Sequence, residues 1–254
     1  MAGLLPTRTA DPVRAAALLD RDGAAILTGR GTDDAAAGAV AGAVLGELLA
    51  RPDASAVREG GEGDRSLVPP EQTMPVHVDG FAYGDHHPDG LFLLCAEQGA
   101  TGGASMVVDG HRLLSTIAED DPELHAFVHA EPVDLTEPGM HPTVSTIVLT
   151  LPSGRRALRR SPYMAPAPTT TTPQRDRELI ERWKGWVHHA GEAAPRFSLQ
   201  PGEALCLDNY RMFHGRGPFT GERMLWRIWA WTPRSNGVPD GPLHSDSRYA
   251  TVFP

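Results

Sequence analysis

Asp208-Asn209-Tyr210-Arg211-Met212-Phe213-His214-Gly215-Arg216, continued by Pro218-Phe219, Gly221, Arg223 and Arg227-Ile228-Trp229, is the stretch on which the fold turns. It reads as a strand carrying an imidazole, then a tight connection, then a second apolar strand bearing two arginines. Side chains alternate across a strand, so Arg223 and Arg227 share a face, and the run Ile228-Trp229-Ala230-Trp231 marks that strand as buried. Upstream, Val76-His77-Val78-Asp79-Gly80 sets an imidazole and a carboxylate two residues apart. On a strand, His77 and Asp79 face one side, while Val76 and Val78 face the core on the other.

Two histidines and one carboxylate form a facial triad that leaves positions open on one side of a metal, a set suited to non-haem Fe(II). Two other H-x-D triplets occur, His87-Pro88-Asp89 and His244-Ser245-Asp246. The first lies in a turn whose proline disrupts strand pairing, and the second in a Gly/Pro/Ser-rich tail, so position selects His77 and Asp79, with His214 as the distant third ligand. His86, His87, His188 and His189 read as surface or turn residues.

The 254 residues carry a formal charge of −9, which argues against a phosphate-backbone binder and hence against nucleic acid as a partner. The two cysteines, Cys95 and Cys206, lie in apolar surroundings without C-x-x-C spacing, as expected of buried free thiols in a reducing cytoplasm. No signal-peptide pattern opens the sequence, and the most apolar window, Ala35 to Leu49, is shorter than the roughly 20 residues of a membrane span. A membrane partner is therefore not expected.

Periodicity and punctuation predict helices from Asp11 to Leu19, Ala35 to Leu49, Asp109 to Ile117, Pro122 to Val128 and Arg175 to His189. Strands are expected at 24–27, 74–79, 91–95, 145–151, 157–160, 196–199, 204–207, 212–214 and 224–231. Residues 52–70, rich in Gly, Arg, Glu and Asp, read as a loop. Many short strands with helices before and between them fit one antiparallel barrel or jelly roll.

From about His77 to Trp231 the chain resembles the Fe(II)/2-oxoglutarate-dependent dioxygenases of the TauD/TfdA type. Asp208-Asn209, His214-Gly215-Arg216, Phe219, Gly221, Arg223 and Arg227 before Ile228-Trp229 carry the resemblance. Gly102-Gly103-Ala104-Ser105 looks like the family's Gly-Gly-x-Thr segment, with the hydroxyl kept.

The resemblance implies a β-rich α+β fold: a double-stranded β-helix (jelly-roll) core with flanking helices. One domain over 1–254 is expected, with a scaffold and loop at 1–70, the core at 71–235, a lid insert at about 155–173 and a tail at 236–254. It implies Fe(II), 2-oxoglutarate and O2 as cofactors, with His77, Asp79 and His214 as catalytic metal ligands. It places Arg227 and Ser105 at the far carboxylate of 2-oxoglutarate, and Arg223 near the metal-bound end. A short likeness over 156–164 adds Arg159, Arg160 and Tyr163 as substrate contacts.

The expected reaction is hydroxylation of an unactivated carbon in a small amino-acid-like or natural-product substrate, free or carrier-bound, with 2-oxoglutarate decarboxylated to succinate. Desaturation, epoxidation or cyclisation by the same oxidant, and a non-catalytic metal- or carboxylate-binding barrel, stand as alternatives. Substrate and oligomeric state are left open at this level.

Overall fold

The computed structural model describes residues 2–61, 64, 68–136 and 142–246. Strands β1 (Gly3–Leu4) and β2 (Thr7–Thr9) lead into helix α1 (Pro12–Asp22), strand β3 (Ala24–Leu27) and helix α2 (Asp34–Leu45). Both helices start at a cap: Asp11 accepts from the Val13 N–H and Asp33 from the Ala36 N–H, satisfying donors that a first turn leaves open. Next come β4 (Ser55–Glu59), β5 (Met74–His77), a 3-10 segment (Phe81–His86), β6 (Gly90–Glu97), β7 (Ser105–Asp109), α3 (Gly110–Asp120) and α4 (Pro122–Ala130). Short strands occupy parts of 132–166 before α5 (Pro173–Ala193), and β8 (Ala204–Asp208), β9 (Met212–Arg216) and β10 (Arg223–Ala230) complete the core.

The two largest sheets among the described residues have strand orders β1-β7-β9-β5 and β2-β3-β8-β6-β10-β4. Within both, all neighbours run antiparallel except β2 and β3. Alternation sorts most of the buried apolar residues described into three large clusters. Ala24, Ile26, Leu91, Val107, Leu205, Leu225 and Trp229 fill the space shared by the two sheets. Ala25, Phe92, Cys206 and Ile228 pack outward on α1 and α2, while Val76, Val78, Val108 and Phe213 pack on α3, α4 and α5. This is the expected jelly-roll core with flanking helices, and burial of these faces supplies its main driving force.

The structure moves several expected boundaries. Residues 52–70 contain β4, the edge strand paired with β10 from Arg223↔Glu59 to Arg227↔Ser55; their charged, glycine-rich composition hid it. The strand expected at 145–151 breaks at Ile147, because Val144–Thr146 pairs with Pro132–Asp134 and Val148–Thr150 with Arg156–Leu158. Residues 196–199 form only a single bridge, Phe197 to Ser105. Helix α2 stops at Leu45, where Gly46 adopts φ 72. His87 is not a surface residue: it is fully buried, its ring 4.6 Å from that of Tyr210. Cys95 and Cys206 are buried and free, as expected. No helix among the described residues is long and apolar enough to cross a membrane.

Candidate active site

Strand β5 ends at His77, and β9 pairs with it so that His214 lies directly opposite. Because Val76, Val78 and Phe213 are committed to the helical layer, the two imidazoles project the other way, their centroids 4.4 Å apart. The ligand atoms of His77, Asp79 and His214 all lie within 4.8 Å of one another, and among the described residues no other group of three potential metal ligands is this close. His77 Nε2 is 3.3 Å and His214 Nε2 3.8 Å from Asp79 Oδ1. His77 Nδ1 sits 2.9 Å from the Pro75 carbonyl, and donation there leaves the Nε2 lone pair for a metal.

The residues flanking His214 build this geometry. Asn209 donates from Nδ2 to the carbonyls of Asp79 (2.9 Å) and Pro88 (2.8 Å) and accepts from the Asp79 N–H at 3.2 Å. It thus fixes the segment that carries the carboxylate. The preceding Asp208 accepts from Arg155 at 2.8 Å, and Tyr210 donates its hydroxyl to the His87 carbonyl. Gly215 is required by close approach: a Cβ there would stand 2.6 Å from the Met74 carbonyl oxygen, pushing β9 off β5.

Asp79 divides its two oxygens. Oδ1 faces the imidazoles, while Oδ2 accepts from Trp229 Nε1 at 3.2 Å and from Arg227 Nη1 at 3.3 Å. Burial alone would raise its pKa, but the Arg227 guanidinium, the His77 hydrogen bond and the nearby imidazoles hold it far below the usual carboxylate range. Burial, with His77 adding to it, pushes His214 down to about 3. The site therefore presents an ionised carboxylate and a neutral imidazole, the forms that ligate a divalent cation. The donor chemistry fits Fe(II).

Further along β10, on the face it shares with Arg227, lies Arg223. It is buried, and its Nε and Nη1 have no hydrogen-bond partner among the described atoms. Burial lowers its pKa, Glu59 at 3.7 Å supports its charge, and Arg216 opposes it. Arg216 is fully engaged, by Glu59 at 3.0 Å and by the carbonyls of Val68 and Gln72. Ser105 is paired with Arg216 across β7 and β9, and Gly103 runs beside the Arg223 guanidinium. Two buried arginines therefore share one carboxylate, an excess of donors that fits the anionic end of a ligand.

Arg227 lies against the carboxylate of Asp79. Besides Asp79, its Nε donates to the Ser245 carbonyl at 2.6 Å and its Nη2 is 3.3 Å from Asp246 Oδ2. Ser245 and Asp246 are buried, although their triplet reads as tail; nothing in turn-rich sequence announces a segment held against β10 without pairing as a strand. Of the proposed substrate contacts, Arg159 is fully buried and donates to Asp85 at 2.8 Å, Arg160 is buried with its pKa lowered to about 10 by desolvation, and Tyr163 is exposed.

The profile of the taurine catabolism dioxygenase TauD, TfdA family matches residues 8–229. The chain belongs to this family. Human gamma-butyrobetaine dioxygenase is 26% identical over 141 residues, 52% of this chain and 36% of that protein. Trimethyllysine dioxygenase of Meyerozyma guilliermondii is 24% identical over 159 residues, 59% of this chain and 40% of that one. The chain thus spans well under half the length of these curated relatives. Among solved structures, asparagine oxygenase in complex with Fe(II), 2S,3S-3-hydroxyasparagine and succinate superposes with a TM-score of 0.65 at 21% identity, covering 88% of this chain and 80% of that one. A taurine dioxygenase from Burkholderia xenovorans gives 0.62 at 20% identity, covering 92% and 84%. These family members share the jelly-roll fold of this chain.

Proposed function

We propose that the chain is an Fe(II)- and 2-oxoglutarate-dependent oxygenase that hydroxylates an unactivated carbon of a small amino-acid-like or natural-product substrate, free or carrier-bound. The carbon gains one oxygen of O2, and 2-oxoglutarate takes the other as it becomes succinate and CO2. The observation that carries this reading is the convergence of His77, Asp79 and His214 within 4.8 Å, in a chain whose buried Arg223 has donors to spare. Relatives named for gamma-butyrobetaine, trimethyllysine and asparagine support an amino-acid-like substrate.

Bound at the triad, Fe(II) would supply the activation of O2. His77 and His214 would hold it through imidazole nitrogens, and Asp79 would offer Oδ1, because Trp229 and Arg227 occupy Oδ2. The contacts of the two arginines decide where the far carboxylate of 2-oxoglutarate goes. Arg216 and Arg223 share the single carboxylate of Glu59, whereas Arg227 lies against two carboxylates, Asp79 and Asp246. Arg223 therefore takes the far carboxylate, with the Ser105 hydroxyl at its side, and Arg227 serves the metal end. This reverses the order that the resemblance implies.

Arg159, Arg160 and Tyr163 are assigned to the substrate side, and 1–254 to one catalytic domain with its lid insert at 155–173. Two buried free thiols support a cytoplasmic location. The test is a panel of amino acids and their derivatives incubated with the protein, Fe(II), 2-oxoglutarate and O2, followed by mass spectrometry for succinate and for a product one oxygen heavier. Succinate no higher than in metal-free controls across the panel contradicts the proposal.

A further inference from the structure

Residues 243–246 lie across β10 without forming a strand of their own. The Tyr83 hydroxyl accepts from the His244 N–H at 2.8 Å and lies 3.3 Å from the His244 carbonyl, Leu243 packs on the core shared by the sheets, and Ser245 Oγ accepts from the Trp229 N–H at 3.0 Å. Beyond these anchors the Ser245 carbonyl and the Asp246 carboxylate close on the Arg227 guanidinium. Arg227 is thereby fixed on its outer side, while Nη1 reaches Asp79 Oδ2 on its inner side. Its guanidinium carbon also lies 5.1 Å from the centre of the Trp229 ring, whose Nε1 donates to the same Asp79 oxygen.

We propose that Asp246 is a positioning residue of the metal centre: through Arg227 it sets the orientation and charge of Asp79, so that the 243–246 segment straps the site shut from outside. The proposal rests on the reading of His77, Asp79 and His214 as metal ligands. Without Asp246, Arg227 has Asp79 as its one carboxylate partner among the described contacts, so it binds Oδ2 harder and draws electron density from the ligating oxygen. Without the strap's anchors it is also free to turn. Either change weakens the carboxylate as a ligand, as loss of outer partners commonly does.

The test is anaerobic titration of the full chain with Co(II), following both the dissociation constant and the visible ligand-field bands. Asp246→Asn, which keeps the volume and removes the charge, is expected to bind about 10-fold more weakly with shifted bands. Asp246→Glu is expected to recover most of the affinity, and Asp20→Asn, at the exposed ion pair with Arg234, to match wild type. Should Asp246→Asn fail to fold, Tyr83→Phe decides, since it frees the far end of the strap without touching Arg227. Wild-type affinity and bands in the deciding variant overturn the strap. Failure is separable from failure of the metal reading, which His214→Ala reports: if that variant binds Co(II) as wild type does, the triad itself is wrong.

Discussion

Asn209 and Asp79, 130 residues apart, grip each other through both functions of one amide: Nδ2 donates to the Asp79 carbonyl at 2.9 Å and Oδ1 accepts from its N–H at 3.2 Å. A third bond, to the Pro88 carbonyl, ties the same amide to the start of β6. The Asp79 carboxylate is thus placed by backbone geometry.

Asn209→Ala leaves buried backbone groups unpaired, and each such group costs about 1–3 kcal/mol. A loss of about 3 kcal/mol in urea unfolding is expected, with weaker metal binding in the fraction that stays folded. Asn209→Asp keeps the acceptor but sets a buried carboxylate oxygen against the Asp79 and Pro88 carbonyls, so a loss at least as large is expected.

Gly215→Ala tests the approach of β9 to β5. The added methyl meets backbone, which cannot rotate away, so the strands must separate at the pair that carries His77 and His214. A cost of about 1–3 kcal/mol is expected, as for other forced insertions. Metal affinity should fall with it, read by the same titration in folded protein.

Arg223→Ala and Arg227→Ala should separate the two ends of the pocket. Loss of Arg223 leaves the far carboxylate of 2-oxoglutarate unpaired in a dry site, about 2–4 kcal/mol or roughly 30- to 1,000-fold in its dissociation constant, with metal binding little changed. Loss of Arg227 should act mainly on metal binding. Calorimetric titration of each ligand into each variant shows which arginine serves which end.

How much of this was legible in sequence follows from what sequence encodes. The spacing of His77 and Asp79 and the residues flanking His214 fix faces, and faces were enough to place the triad and the layers. Which arginine lies against Asp79 depends on how β10 registers against its neighbours, a relation that strand period does not contain. Glu59 escaped because β4 is a charged edge strand with little apolar alternation. Ser245 and Asp246 escaped because they bind by side chains and one carbonyl in a stretch without periodicity. His87 was misplaced because a turn residue is normally exposed, and here Tyr210 covers it.

The metal-free protein should lose stability in mild acid. Unfolded, His214 takes up a proton near its ordinary 6.5, while folded it resists until about 3. Between these values the unfolded chain binds the extra proton, so stability falls as pH falls, by up to about 1.4 kcal/mol per unit. His214→Gln should flatten that slope in urea titrations at pH 6.5 and pH 4.5, and an unchanged slope assigns the acid sensitivity to other groups.

The most direct test of the metal centre is anaerobic Fe(II) titration of the wild type and of His77→Ala, Asp79→Ala and His214→Ala. The wild type should bind one Fe(II) per chain, and each variant, reduced to two ligands, should bind at least about 100-fold more weakly. Undiminished tight binding by His214→Ala would contradict the facial triad and the oxygenase built on it.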